Sequence, residues 1–476
     1  MTSKTALLPL AFQLFAASAS LASPTPVAKA ELWKAAVVDC TNGTDARATS
    51  TATSNVAAAA SPQETPGFVN NGTIGSYPCL YNSQTEGSQL ILGSGSTVPG
   101  TQCPQALPAV YPNNRIELRA PDDSIRATFQ PYGSGVTELW VKDRWGGWRD
   151  IVLGYDNTTN WATDPNHPNF GPIVGRYANR IKNGTFELNG QTYNIPKNEN
   201  GLDSLHGGDI GYDCSNYTIS KLSANELILE HIDSDGFQGF PGQVKTYTCY
   251  TLSKNATWHI ELNATATKET PILLSSHVYW NLDAFNETAS NLDYVVHMPY
   301  ADKYIKTDTI LIPTGPTPSV ENTPYDFQTA TPLAKNFNDT LGICGYECKG
   351  WDSCFVMSNP PGYDTAKPVV EMYSPKSGIK LSVATNQAAV QMYTCTGVNK
   401  PGKGIPRKQV HGGKVGNDIG EVQYENDECV VLEMEDYIDG INNPEWGRNQ
   451  IYGPDRPYHW KSTYTFTTVD ENGKAM

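Results

Sequence analysis

Beyond its first 23 residues the chain has no apolar run near the roughly 20 residues that a bilayer-spanning helix needs. Positive charge is scarce: 34 Lys and Arg face 49 Asp and Glu, a net charge of −15. Such a chain repels phosphate backbones and anionic lipid, so neither nucleic acid nor a membrane surface is expected as a partner. The familiar nucleotide and hydrolase strings are missing. There is no Walker loop, no H-E-x-x-H, no G-x-S-x-G and no dinucleotide fingerprint. No C-x₂-C pair stands at zinc-ribbon spacing, and the nearest cluster is Cys344, Cys348 and Cys354. No metal and no cofactor are therefore expected. Amphipathic helical patterns of useful length are absent, as is any internal repeat, which excludes a propeller.

What is present begins with a leader. Lys4 is followed by a nearly apolar stretch from Ala6 to Leu14, and by small residues through Ser23. This is the layout of a secretory signal peptide over residues 1–23, with cleavage near Ala19 or Ser23. Nine Asn-X-Ser/Thr sequons follow, at Asn42, Asn71, Asn157, Asn183, Asn216, Asn255, Asn263, Asn286 and Asn338. Ten cysteines fit an oxidising compartment and point to disulfides. Together these features predict a secreted protein carrying N-linked glycans and disulfide bonds. Residues 24–110 read as a low-complexity, Cys-containing extension, with Ala46–Ala60 nearly all small or polar.

Residues 111–476 read as β. Short alternating runs recur between Gly, Pro and Asn clusters. Strands are predicted at Glu226–Ile232, Lys245–Leu252, Thr257–Ala266, Val369–Tyr373, Ile379–Ala384, Ala389–Tyr393, Cys429–Met434 and Ser462–Thr468. A hairpin is predicted at 185–195, where Asn189-Gly190 supplies the positive-φ pair of a type I′ turn. The expected fold class is all-β, one large β-sandwich with few helices.

Four strings stand out as chemistry. In Gly171–Ile181, Arg176 and Arg180 sit in an otherwise uncharged stretch. Guanidinium donors serve sugar hydroxyls or backbone carbonyls equally well, and alone the second use is favoured. Leu205-His206-Gly207-Gly208 permits close backbone approach to a ligand. Around His277, Ser275–Leu282 crowds polar and aromatic groups, the mixture a sugar pocket needs. Glu433 follows an apolar run in a predicted core strand, where burial raises a carboxyl pKa toward that of a working base; a strand-end glutamate facing water is the plainer alternative.

In order and content these strings resemble the aldose 1-epimerase (galactose mutarotase) family, from about Asn113 to the C-terminus. The series runs G-R-x-A-N-R-I at Gly175–Ile181, F-x-x-x-G-x-x-Y at Phe186–Tyr193, then L-H-G-G at Leu205–Gly208. It continues with D-G-x-x-G-F-P-G at Asp235–Gly242, N-H-x-Y-W-N-L at Ser276–Leu282 with Ser276 in place of the leading Asn, and I-P-T-G at Ile312–Gly315. It ends with G-W-D at Gly350–Asp352, V-Q-x-Y at Val390–Tyr393, Leu432-Glu433 and Asp439–Pro444. The resemblance implies a sandwich of the galactose mutarotase type and interconversion of the anomers of a free aldose. It implies Glu433 as general base and His277 as general acid. It implies Asn179, Arg180, His206, Tyr279, Asp352 and Gln391 as substrate-binding residues, and no metal or redox cofactor. Two other readings stay open: an inactive carbohydrate-binding protein, disfavoured by the retained acid–base pair, and a hexose-phosphate epimerase, disfavoured by the shortage of cations. After Leu205–Gly208 the family usually has G-F-D and then a tryptophan. Here Gly211-Tyr212-Asp213 leads to Cys214, with no tryptophan near.

Overall fold

Alternation in the sequence becomes antiparallel ladders. In Thr257–Ala266 the side chains of Trp258, Ile260, Leu262 and Ala264 turn inward, and their neighbours turn toward solvent. This strand is fourth in a nine-stranded antiparallel sheet. The order in space is Thr218–Leu222, Glu226–Asp233, Val244–Ser253, Thr257–Ala266, Tyr458–Thr468, Ile379–Thr385, Val370–Tyr373, Val295–His297 and Thr331–Pro332. A second antiparallel sheet has five strands, in the order Tyr279–Trp280, Val430–Glu435, Ala389–Tyr393, Asp352–Met357 and Ala301–Tyr304. A third has four, from Ile116–Arg119 to Trp148–Asp150. The computed structural model describes residues 112–399, 404–414 and 422–476, with the paired strands Leu80–Tyr81 and Leu90–Ile91. The leader, nearly all of the 24–110 segment, Asn42 and Asn71 lie outside the described residues.

One apolar core joins the inner faces of the three sheets. It takes Trp258, Trp460 and Tyr464 from the nine-stranded sheet, Phe355, Met392 and Leu432 from the five-stranded, and Leu118, Phe129 and Leu139 from the four-stranded. Full burial of one such large side chain contributes about 1.5–3 kcal/mol. The expected strands form, with shifted ends. The last begins at Tyr458 rather than Ser462, because Tyr458 and Trp460 continue the inward alternation. Thr185–Leu188 and Gln191–Asn194 form the hairpin, with Asn189 at φ 53° and Gly190 at φ 74°. The two α-helices among the described residues have four residues each, and no helix there is long and apolar enough to cross a membrane.

The five-stranded sheet positions the site. Within Val430–Glu435, Val430, Leu432 and Met434 enter the main core. Alternation therefore sends Glu433 and Glu435 to the other face. Gln391 lies directly opposite Glu433 on one neighbouring strand, and Tyr279 lies opposite Val431 on the other. Cys354 lies opposite Gln391, so Asp352, two residues from it, shares the same face. Disulfides Cys344–Cys348 and Cys395–Cys429 brace the loops at the ends of these strands.

Candidate active site

A cavity of about 370 Å³ opens on that polar face. Loops from elsewhere complete it. Arg180 pairs across a short ladder with Leu205, which brings the G-R-x-A-N-R-I and L-H-G-G strings together. The His206 N–H donates to the Asn179 carbonyl at 3.0 Å, and the Asn179 N–H donates to His206 Nδ1 at 3.1 Å. Gly207 makes this approach possible: at φ 95°, a Cβ there would stand 2.2 Å from the Gly175 carbonyl oxygen. His277 follows the strand Ser275–Ser276, which pairs with Ile173–Val174.

Glu433 and His277 meet at the cavity wall. His277 Nε2 lies 3.5 Å from Glu433 Oε1, and both side chains are buried. Burial, with the Asp352 charge adding to it, pushes the Glu433 carboxyl up to about 8 against the pull of Arg180. Burial pushes His277 down to about 4. Glu433 is thus no strand-end carboxylate facing water. Glu433 Oε2 and His277 Nδ1 have no protein hydrogen-bond partner.

Around the pair, Asn179, Arg180, His206, Tyr279 and Asp352 all line the cavity. Arg180 is held by Glu199 in a bidentate pair, with both contacts at 2.7 Å. Burial keeps His206 well below the usual imidazole range, with His277 and Arg180 adding to the effect. Its ring stands edge-on to His277 at 5.2 Å between centroids. Gln391 does not line the cavity; it stands behind Asp352 and donates to Asp352 Oδ1 at 2.6 Å. Arg176 also separates from Arg180. It is buried away from the cavity, bonded to Asp233 at 2.7 Å and to the carbonyls of Pro241 and Gly242.

Several wall residues carry no motif in the sequence. Asn166, His167 and Asn169 come from one loop, and Cys344 and Cys348 from another. Loop residues follow no hydrophobic period, so their convergence is a product of the fold. Among the described residues, two groups of three side chains bring metal-binding atoms within 4.8 Å of one another: His206, His277 and Glu433, and His167, Asp213 and Cys214. Neither group is contiguous in sequence, so the lack of a spaced motif did not reveal them.

Fold and site together define a β-sandwich protein with a buried carboxylate–imidazole pair in a small-molecule pocket. The model of the aldose 1-epimerase family matches residues 114–465, and the chain belongs to that family. A probable aldose 1-epimerase from Arthroderma benhamiae is 38% identical over 408 residues, covering 79% of this chain and 91% of the relative. Galactose mutarotase from Bos taurus is 32% identical over 329 residues, covering 68% of this chain and 86% of that protein. Among solved structures, an aldose epimerase homologue from C. elegans superposes with a TM-score of 0.65 at 26% identity, covering 75% of this chain and 99% of its own.

Proposed function

We propose that this protein interconverts the α and β anomers of free aldoses by general acid–base catalysis. The observation that carries the reading is the Glu433–His277 pair, 3.5 Å apart on the wall of the cavity. Ring opening of a hemiacetal takes a proton from O1 and gives one to O5, and the C1–O5 bond breaks to leave an aldehyde and a hydroxyl. Glu433 takes the first proton and His277 supplies the second. The C1–C2 bond then rotates. Closure on the other face returns both protons, so the pair ends as it began. Each positioned group contributes roughly 10²–10⁴-fold. The cavity is at the small end of ligand pockets, which span about 300–1,000 Å³, and this suits a single sugar ring. A phosphorylated sugar fits less well, because Arg180 is already paired with Glu199 and Arg176 is outside the cavity.

Asn179, Arg180, His206, Tyr279 and Asp352 hold the ring, and Gln391 orients Asp352. We place the reaction outside the cell. The leader-like N-terminus supports this, as do the disulfides Cys344–Cys348 and Cys395–Cys429. So do the sequons: Asn183, Asn216, Asn255, Asn286 and Asn338 are exposed, and Asn157 and Asn263 are half-buried, so none of these is hidden from a glycan transferase. The test of function is polarimetry on freshly dissolved α-glucose and α-galactose. The optical rotation reaches equilibrium faster with the protein than without it. A protein that binds either sugar and leaves the rate unchanged would be a carbohydrate-binding protein instead.

A further inference from the structure

Cys214 stands where the chain departs from its family pattern, directly after Asp213, and the fold brings both to His167 on the cavity wall. His167 Nε2 meets Asp213 Oδ2 at 2.5 Å and Cys214 Sγ at 3.4 Å. Cys214 Sγ lies 3.5 Å from Asp213 Oδ2. Nitrogen, oxygen and sulfur donors thus converge on one point. The thiol is free, although four of the other described cysteines are paired in Cys344–Cys348 and Cys395–Cys429.

This is not a thiol nucleophile with its relay. In a relay the carboxylate holds one ring nitrogen while the other takes the thiol proton. Here carboxylate and thiol both meet Nε2. Three donors facing one point is the arrangement a cation requires. Zinc bonds of about 2.0–2.3 Å in a tetrahedron set neighbouring ligands roughly 3.3–3.8 Å apart. Two of the three separations already fall in that range, and the third opens by about 1 Å once the proton between His167 and Asp213 is displaced. The supporting features are also present. Asp213 is 6% exposed, and its Oδ1 is buried without a protein partner. The His167 side chain is 35% exposed, which leaves a path of entry.

We propose that His167, Asp213 and Cys214 form a binding site for a thiophilic divalent cation of the zinc class, beside the sugar pocket and separate from the acid–base pair. Charge balances in the exchange. Imidazolium, carboxylate and thiol sum to zero; neutral imidazole, carboxylate, thiolate and a divalent ion also sum to zero. One ion enters and two protons leave, one from Nε2 and one from Sγ.

The experiment uses the full purified chain and zinc ion alone as the probe, in calorimetric titrations in buffers of different ionisation heat. Cobalt(II) absorption provides a second readout, since a thiolate ligand adds a charge-transfer band. The expected result is one zinc ion per chain with release of two protons, and a thiolate–cobalt band. Glu433→Gln keeps both. Cys214→Ser removes the band and weakens zinc binding by at least the ~100-fold upper end seen for loss of a supporting residue. His167→Ala weakens it likewise, and far-ultraviolet circular dichroism checks that both variants stay folded. Absence of zinc binding in the wild type overturns the proposal. So does undiminished binding by Cys214→Ser, or binding abolished by Glu433→Gln, which would move the ion to the His206, His277 and Glu433 group.

Discussion

Glu433 and His277 carry opposite pKa shifts from one cause. Burial disfavours charge, so it raises the carboxyl to about 8 and lowers the imidazole to about 4. The sequence leaves open whether burial or mutual attraction dominates; in the structure burial does. The pair therefore gives up its first proton near 4 and its second near 8; between them it holds one proton, which rests on Glu433, and the reaction runs through the minor form that carries it on His277 with Glu433 ionised. Anomer exchange should rise with pH through about 4 and fall through about 8, a wider bell than ordinary values of 4.5 and 6.5 give. Asp352 helps hold the Glu433 proton on. Asp352→Asn should move the alkaline limb to lower pH, read from a polarimetric pH–rate profile. An unmoved limb would show that Asp352 does not act on the base. At this scale much was legible. Arg180 and Asp352 line the cavity and Gln391 stands behind Asp352; a string fixes a position but not which layer a side chain occupies. The two arginines four apart in one string take opposite roles for the same reason.

At the scale of elements, period-two alternation located strands with one buried face, such as Thr257–Ala266, whereas Val430–Glu435 is buried on both faces and was marked by its apolar run. Alternation misjudged ends, as at Tyr458, where the apolar alternation runs past a polar start. The cavity loops were illegible: His167 and Cys344 obey no period, and only the fold joins them. The hairpin was legible from its turn. Gly190 sits at φ 74° in open space, so a methyl group there meets no clash and pays only for the left-handed backbone. Gly190→Ala should destabilise the protein by about 1–2 kcal/mol. Urea denaturation would show this as a lower midpoint at unchanged slope, with sugar turnover intact at low denaturant. An unchanged midpoint would mean the hairpin frays without cost to the fold.

At the scale of the whole molecule, the sheets supply a rigid face and the loops supply most of the specificity. The family match starts at residue 114, after the 24–110 segment. We therefore expect a chain of residues 111–476 to keep wild-type turnover; a trimmed chain that folds and binds sugar but does not turn it over would give the extension a catalytic role. The proposed chemistry rests on one buried carboxylate and one imidazole. It is tested most directly by polarimetry on Glu433→Gln and His277→Asn, with sugar affinity measured separately by calorimetry. Each substitution should lower turnover by roughly 10²–10⁴-fold while affinity changes far less. Near wild-type turnover in Glu433→Gln would contradict it and shift the base to Asp352 or Glu435.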